Sequence, residues 1–526
     1  MAQFLKSFMS IKKNLPKEDQ NDYTKNVSNI NTLGKKIPKA AVRTTMIFVE
    51  SGLDVNLTLP GGQTPLTFII STATSHRWVD MVQLLLEEGA SPHVRDSEGK
   101  TLLSLLASSG QLSLIRLAVS KGADINAAGP GGETPLLTSI HYRQIECMRY
   151  FLTRGADPNI LSDDGNSALM WALVCPNGLG KQRFNACVKI LLEYGAHVNI
   201  QNPYGDTPLM AATLIEEPEI IRRLIAAGAD PNVRNLNGET ALHLATRFDC
   251  NNVVTTLLKE GANMNIQDNL GYTPLMEAPS ESITYLLLNN GADPNIAANN
   301  GDTTLHLKAK ADLPTLTLAP IEYGSELDPR NYDGDTPLQL AVRSRSLQTI
   351  QLLLNHGCVV NNINKADVSI VQDAILPFDF YNTIDIFTKL STQVLMDELL
   401  EYTKGQDVIS LVKQLVNEGA NADYIGEQGI TPLMLAVAIG DLKLVELLLS
   451  CGSLVNHTDD YGRTALAYAC KWGHAHMVDL LLLHGSFVNT IDTFGNLPVF
   501  YAANFGHIDV ILMLMVELAF FYVSHQ

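Results

Sequence analysis

Apolar residues recur along this chain in short groups with helical spacing, and one glycine-led phrase introduces many of them. The phrase reads Gly-Gln-Thr-Pro-Leu at residues 62–66, and close copies begin at Gly132, Gly205, Gly334 and Gly429. Thr followed by Pro and an apolar run is typical of a helix start, because threonine caps the first amides and proline suits the first helical position. The pattern therefore predicts a short helix after each of these glycines.

The phrase has a period. Weaker copies begin at Gly99, Gly165, Gly238, Gly271, Gly301, Gly462 and Gly495, and most successive glycines lie 33 residues apart. In the unit from Gly238, the apolar spacing predicts one helix over Leu242 to Phe248 and a second over Val253 to Lys259, which Gly261 ends. Neither helix can bury its apolar side alone, so we expect the pairs to stack on their neighbours as a solenoid.

These residues resemble the ankyrin repeat. The family's consensus is reproduced in part by Thr-Ala-Leu-His-Leu-Ala at 240–245, Gly-Ala-Asp-Pro-Asn at 228–232 and Gly-His at 473–474, and the resemblance covers about residues 41–518. It implies an all-α solenoid of about 14 stacked helix pairs with β-turn hairpin fingers. The family's Leu-His histidine is present only as His243 and His306. The replacements are Met170, Met210, Met276 and Met434.

The units divide the chain into four segments. Residues 1–40 form a basic tail that we expect to be disordered, 41–363 an N-terminal array, 364–428 degenerate repeats, and 429–526 a C-terminal array with an apolar end. The spacing from Gly334 to Gly429 is 95 residues, which is 33 plus 62, so two degenerate pairs are expected within 367–428. Residues 1–43 carry nine Lys/Arg and three Asp/Glu, a local charge of +6, which suits a solvated tail or a basic arm for an acidic partner or membrane surface.

Composition narrows the class of protein. At 526 residues the chain exceeds a single core, and 46% apolar residues exclude a chain disordered throughout. The net charge of −18 disfavours nucleic acid as a partner. Seven cysteines without a C-x-x-C pair indicate a reducing compartment, and no apolar stretch is long enough for a transmembrane segment. We therefore expect a protein of the cytoplasm or the nucleus.

Residues that could ligate a metal or act in catalysis have structural explanations within the repeat. Cys470, His474, His476 and His484 fall close together, but His474 occupies a Gly-His turn position and Cys470 a small core position, so no metal site is predicted. No nucleophile elbow and no catalytic Cys-His or acid pair stands out. We predict a non-enzyme without a cofactor.

The resemblance implies a protein-binding surface on the finger tips and the exposed end of each first helix. Relative to each repeat glycine, the least constrained positions are −2, −1, +1, +9 and +10. Aromatic and Arg anchors dominate interfaces, and the last two units supply Tyr461, Arg463, Lys471, Trp472, Phe494 and Phe505. Tyr461 and Phe494, like Trp472 and Phe505, are 33 residues apart, so each pair forms either a partner surface or a stacking ladder between repeats. His141 with Tyr142 is a second candidate.

Two classes of function fit this reading. The chain is either a scaffold or adaptor without activity of its own, or the recognition part of a larger enzyme or ubiquitin-ligase system, including a shortened form of a longer protein. The resemblance also implies asparagine hydroxylation at loop positions with Leu eight residues upstream, the alternative being that each asparagine only ties its turn. The positions are Asn199, Asn232, Asn265 and Asn456.

The end of the array is unusual. Terminal repeats of solenoids need a polar outer face, yet residues Val510 to Val523 are nearly all apolar. Three interpretations remain open: a helix packed on the previous unit, a docking surface for a partner or a second copy, and a chain that ends early relative to a longer form. We predict self-association through Val510–Val523.

Overall fold

A computed structural model describes residues 54–56, 64–71, 78–174, 181–375 and 408–524. The basic tail, residues 1–40, lies outside this described part. The chain forms two compact units, Met1–Asn263 and Met264–Gln526. Each is built from antiparallel helix pairs joined by hairpin fingers, and the described residues contain no extended strand.

The first unit contains six described helix pairs. The helices are α1 (Pro65–Ser71), α2 (Trp78–Glu87), α3 (Leu102–Ser108), α4 (Leu112–Ser120), α5 (Pro135–His141), α6 (Ile145–Thr153), α7 (Ala168–Val174), α8 (Lys181–Glu193), α9 (Pro208–Thr213), α10 (Pro218–Ala226), α11 (Ala241–Arg247) and α12 (Asn251–Lys259).

The second unit contains seven described pairs. The helices are α13 (Pro274–Glu277), α14 (Glu281–Asn289), α15 (Thr304–Lys310), α16 (Pro314–Glu322), α17 (Pro337–Arg343), α18 (Leu347–Asn355), α19 (Ile370–Ile375), α20 (Val408–Asn417), α21 (Pro432–Ile439), α22 (Leu442–Ser450), α23 (Ala465–Trp472), α24 (Ala475–Leu483), α25 (Pro498–Phe505) and α26 (Ile508–Ser524).

The first helix of a pair begins as the sequence predicts. In α9 the Thr207 hydroxyl accepts the Met210 amide at 3.3 Å, and Pro208 occupies the first turn. In α11 the amide of Thr240 donates to Nδ1 of the buried His243 at 3.1 Å. Where methionine replaces histidine in α9, the sulfur of Met210 accepts the Thr207 amide at 3.5 Å. The substitution thus keeps the geometry with a weaker acceptor.

The fingers are short hairpins that pair with one another. Within one finger the Asn235 amide donates to the Glu239 carbonyl at 2.9 Å, and the next amide, that of Leu236, donates to the Tyr204 carbonyl of the preceding finger at 3.0 Å. Gly205 makes this approach feasible: it has φ of 79°, and a Cβ there would lie 2.7 Å from the Leu236 nitrogen. Glycine at the head of the phrase is therefore required by both conformation and space.

Asparagines in the loops after the second helices link consecutive repeats. The Asn199 amide donates to the Gly228 carbonyl at 2.9 Å, and its oxygen accepts the Asp230 amide at 2.9 Å. Asn456 makes the same two bonds to Gly485 and Phe487. These side chains therefore hold the next repeat in register, rather than only tying their own turn.

The degenerate region differs from the expectation of two helix pairs. Asn361 bonds to the Gly419 carbonyl and to the Asn421 amide, 58 and 60 residues away, where the equivalent bonds elsewhere span about 30. Helix α19 packs on α17 before it, on α21 after it and on its own partner α20. The described residues therefore form one pair, α19 with α20, and not two. Residues 376–407, where the sequence predicts apolar helical stretches, fall between its helices and lie outside the described residues.

The short unit between Gly271 and Gly301 has a local compensation. These glycines are 30 residues apart, and α13 has only four residues. Lys308, which is buried, extends from α15 and donates to the carbonyls of Met276 and Ala278 at 3.1 and 2.7 Å. An ammonium group thus satisfies carbonyls that the truncated helix leaves without intrahelical partners. Burial lowers the pKa of Lys308 to about 8.

A buried ion cluster joins α17 to α19. The Arg343 guanidinium contacts Asp335 at 2.5 Å and Asp373 at 2.9 Å, and all three side chains are buried. Two carboxylates share one guanidinium, and Gln339 donates to Asp373 at 3.4 Å. Burial raises the pKa of Asp373 to about 7, although the neighbouring Arg343 acts in the opposite direction.

Candidate partner-binding site

Four large apolar side chains project from the first unit on consecutive repeats. Tyr204 and Leu236 lie on two paired fingers and are 72% and 70% exposed, while Leu214 and Phe248 follow the ends of α9 and α11 and are 59% and 55% exposed. Exposed apolar side chains that cluster in this way mark interaction surfaces more often than single ones do.

These side chains surround a cavity of about 490 Å³. Its wall includes Met170 and Met210 from the first helices, and Leu244 from α11. We call the cavity and its lining the finger groove. Its full lining is Asn166, Met170, Asn202, Tyr204, Asp206, Thr207, Met210, Ala211, Leu214, Asn235, Leu236, Asn237, Glu239, Leu244 and Phe248.

Hydrogen bonds fix the polar floor of the finger groove. The Asn235 side-chain amide donates to Asp206 and to Glu239, both at 3.0 Å, and Arg247 contacts Glu239 at 2.5 Å. Gln201 adds a bridge by donating to the Gly205 and Arg234 carbonyls at 2.7 and 3.0 Å. The groove is therefore largely pre-formed, which reduces the entropy lost on binding.

The charged side chains that line the finger groove are both acidic. Burial alone would raise the pKa of Glu239, but hydrogen bonds from Asn235 and Arg247 hold it below its usual value. Glu239 therefore stays ionised at neutral pH, and Asp206 adds a second carboxylate. Arg247 offsets the charge of Glu239, whereas Asp206 accepts from the neutral side-chain amide of Asn235. An apolar wall beside such a carboxylate favours an apolar anchor flanked by positive charge.

The C-terminal residues selected from the sequence are arranged differently. The rings of Tyr461 and Phe494 stack with centroids 6.2 Å apart and planes 16° apart, which confirms that this pair, one period apart, lies side by side. Phe494 and Phe505 are exposed, and Trp472 is half-buried beside the Lys471 ammonium at 5.2 Å. The aromatic positions thus remain available to a partner.

Arg463 does not fit the role of an exposed anchor. Its side chain is buried, its Nε donates to Asp459 at 2.7 Å, and its guanidinium lies over the rings of Tyr461 and Tyr468 at 4.7 and 5.1 Å. Tyr468 donates to the same carboxylate at 2.8 Å. The guanidinium is therefore engaged within the repeat, where it supports the stacked Tyr461.

The chain's sequence matches a family model described as ankyrin repeats (3 copies). The matched residues are 40–129, 128–202, 180–268, 209–298, 275–364, 401–492 and 433–521. The chain belongs to the ankyrin-repeat family. The predicted all-α repeat fold is thereby confirmed, and the finger groove lies where ankyrin repeats have their finger tips and first helices.

Similar proteins share only part of the chain. Human B-cell lymphoma 3 protein is 28% identical over 183 residues, and its Mus musculus homolog is 27% identical; each match spans 32% of this chain and 40% of the relative. The chain therefore matches less than half the length of these relatives. The crystal structure of the ankyrin repeat domain of Bcl-3, a unique member of the IkappaB protein family, is 26% identical. It covers 43% of this chain and 99% of that domain, with a TM-score of 0.37.

The finger groove satisfies the positional rule of the ankyrin pattern but was not selected from the sequence. Tyr204 and Leu214 stand at −1 and +9 of their repeat glycine, and Leu236 and Phe248 at −2 and +10 of the next. Aromatic pairs at identical positions of adjacent repeats occur in the last two units, and the sequence favours those units for that reason. Alternating positions on adjacent repeats are the signal that would have found the groove.

The remaining candidates have structural surroundings of their own. His141 lies 4.9 Å from the Tyr142 ring and 5.7 Å from the Trp171 ring, beside a cavity of about 120 Å³. His474 lies against Gly440, as the Gly-His turn position predicts. Among the described residues, no three His, Cys, Asp or Glu come together as a metal site would require. None of the described helices is long and apolar enough to cross a membrane.

Proposed function

We propose that this chain is a protein-binding scaffold whose finger groove holds an extended partner segment with a large apolar side chain and a basic flank. The observation that carries the proposal is the pre-formed groove of about 490 Å³, walled by exposed Tyr204, Leu214, Leu236 and Phe248 above two carboxylates. The coarser role, protein interaction through ankyrin repeats, rests on the family match. We propose no catalytic step for this chain. We also propose that the protein is located in the cytoplasm or the nucleus.

Two further surfaces belong to this proposal. The aromatic ridge of Tyr461, Trp472, Phe494 and Phe505 is a second partner surface, and Lys471 adds a positive charge beside Trp472. The apolar helix α26 is proposed to mediate self-association. A scaffold with several surfaces can hold a partner while pairing with another copy.

A random peptide library displayed on phage tests the finger groove directly. Peptides selected on the full chain should combine an aromatic or large aliphatic residue with Lys or Arg. Their affinity should fall at least about 10-fold with Phe248→Ala or Leu214→Asp, because truncating a buried anchor costs about 2 kcal/mol or more. Leu454→Asp is the matched control, since Leu454 is 58% exposed and Leu214 is 59% exposed. Peptides that bind the Phe248 and Leu214 variants as tightly as the native chain would contradict the proposal.

A further inference from the structure

Helix α26 is apolar on two opposite sides. Val510 and Leu514 are 1% exposed and pack on the hydrophobic core, whereas Ile508, Leu512, Met515 and Val516 are exposed. The exposed residues follow the spacing i, i+4, i+7 and i+8, so they lie on one face of the helix. A helix that is apolar around most of its circumference is normally covered on all sides.

Two of these residues occupy positions that are polar and exposed in most earlier repeats. Counting by repeat, Leu512 corresponds to half-buried Thr255, Tyr285 and Leu318 in three pairs and to exposed polar residues in the other nine: Gln83, Arg116, Arg149, Lys189, Arg222, Gln351, Lys413, Glu446 and Asp479. Val516 likewise corresponds to exposed residues: Ser120, Thr153, Lys259, Asn289, Glu322, Asn355, Asn417 and Ser450. The position faces solvent even where a following pair is present. A further ankyrin pair would therefore leave Leu512 and Val516 uncovered.

Leu483 shows the same departure one pair earlier. It corresponds to Val516, it is 81% exposed, and its helix α24 already packs against α26. Leu483, Ile508, Leu512, Met515 and Val516 together form a patch that we call the terminal seam. The exposure of Leu483, Leu512 and Val516 is a property of the last two pairs, whereas Met515 corresponds to Leu449, which is buried where another pair follows.

The charges around the terminal seam favour protein over lipid as its cover. Residues 508–524 contain Asp509 and Glu517 but no Lys or Arg. Helices that lie on membranes carry basic residues on their polar face, because these attract anionic lipids. A seam without cations, bordered by two acids, lacks that attraction.

The terminal seam is suited to pairing with the same surface of a second copy. In a two-fold dimer the same patch meets itself, so a wholly apolar seam is complementary without any matching charge. Its five side chains expose roughly 500 Å² per copy, so pairing would bury about 1,000 Å² in total, near the lower limit for a specific interface. A dimer of this size is expected to be weak.

We propose that the terminal seam is a two-fold interface between two copies of this chain. This inference deepens the self-association in the proposed function and is independent of the finger groove. Each copy carries a net charge of −18, so the two copies repel one another. Added salt screens that repulsion, and the dimer should therefore tighten as ionic strength rises. A basic partner bound at the same seam would show the opposite dependence.

Sedimentation equilibrium of the full chain over roughly 1 to 100 μM, at low and high salt, tests the seam. The double variant Leu512→Glu with Val516→Asn installs the residue types that earlier repeats carry at these positions, so folding should be preserved. Its dimer dissociation constant should rise at least about 10-fold. Leu454→Glu is the control, because Leu454 and Leu512 are equally exposed, at 58%. It should dimerise like the native chain.

Several outcomes would overturn the terminal seam. They are a native chain that stays monomeric throughout, a dimer that the double variant leaves unchanged, and open-ended oligomers in place of a closed pair. Sedimentation with phosphatidylcholine vesicles, lost in the double variant and without a dimer, would assign the seam to lipid instead. The groove variant Phe248→Ala should dimerise normally, so failure of the groove proposal and failure of the seam can be told apart.

Discussion

Replacing Gly205 by alanine tests whether the fingers hold one another in place. Gly205 has φ of 79°, and a left-handed conformation costs an alanine about 1 to 2 kcal/mol. The added Cβ would also lie 2.7 Å from the Leu236 nitrogen and 3.0 Å from the Asn235 carbonyl carbon. Both contacts are with backbone, which cannot rotate away, so the two fingers must separate.

Separation of the fingers adds a second cost. It weakens the bond from the Leu236 amide to the Tyr204 carbonyl, now 3.0 Å, which contributes about 1 kcal/mol. Gly195 supplies the control, because its φ is 81° and an added Cβ would meet nothing within 4 Å. We therefore expect Gly195→Ala to cost about 1 to 2 kcal/mol, and Gly205→Ala about 2 to 4 kcal/mol.

Hydrogen exchange followed by mass spectrometry reads this difference locally. Gly205→Ala should speed exchange of the amides in the two fingers, residues 202–206 and 235–239, whereas Gly195→Ala should leave those amides near the native rate. Affinity for peptides selected on the finger groove should fall with the first variant only. Equal losses of stability in the two variants, with unchanged finger exchange, would refute the argument that the fingers are held by direct backbone approach.

Three further predictions address the buried charges and the loop asparagines. Asp373→Asn should stabilise the fold by up to about 4 kcal/mol above pH 7 and by little below pH 4. Burial raises the pKa of Asp373, so ionising this carboxyl destabilises the native chain as pH rises from the unfolded pKa to the folded pKa. A difference in urea midpoint between the variant and the native chain that is constant with pH would contradict this. Lys308→Ala should cost about 2 kcal/mol or more by leaving the Met276 and Ala278 carbonyls without their donor, with faster exchange in α13, whereas the exposed Lys310→Ala should not. Coexpression with an asparagine hydroxylase should add about 16 Da, the mass of one oxygen, to peptides holding the loop asparagines, and an unchanged mass would end that idea. Those asparagines are Asn199, Asn232, Asn265 and Asn456.

The period and the helix starts could be predicted because each depends on residues close in sequence. Thr207 caps the helix that Pro208 begins, and Gly205 adopts the positive φ that the phrase requires. Such local signals recur from unit to unit, so a helix start that is ambiguous in one unit can be predicted from the same position in its neighbours. Stacking of Tyr461 on Phe494 followed from the period in the same way.

Features that depend on distant partners could not be predicted. Counting 62 residues suggested two helix pairs, because a count cannot separate a second pair from an insertion within one pair; the bonds of Asn361 to residues 419 and 421 make that distinction. Lys308 stands where Ala245 and Ala341 stand in other units, but its role depends on a helix that was shortened about 30 residues earlier. The sequence predicts Arg463 as an anchor because it is an arginine at a variable position of the repeat. Its burial against Asp459 and two aromatic rings is not visible in the repeat pattern.

The hydrogen bonds of Asn361 indicate where in a repeat this chain tolerates inserted residues. The asparagine link joins the loops that follow the second helices, and it closes normally although residues 376–407 separate the two helices of that pair. Two shorter interruptions, residues 72–77 and 175–180, likewise fall between a first and a second helix, α1 with α2 and α7 with α8. Sequence added at that junction leaves both the finger bonds and the asparagine links unbroken. Evolution, or an engineer who inserts a tag or a second domain, can therefore enlarge the protein at this junction while every repeat keeps its neighbours.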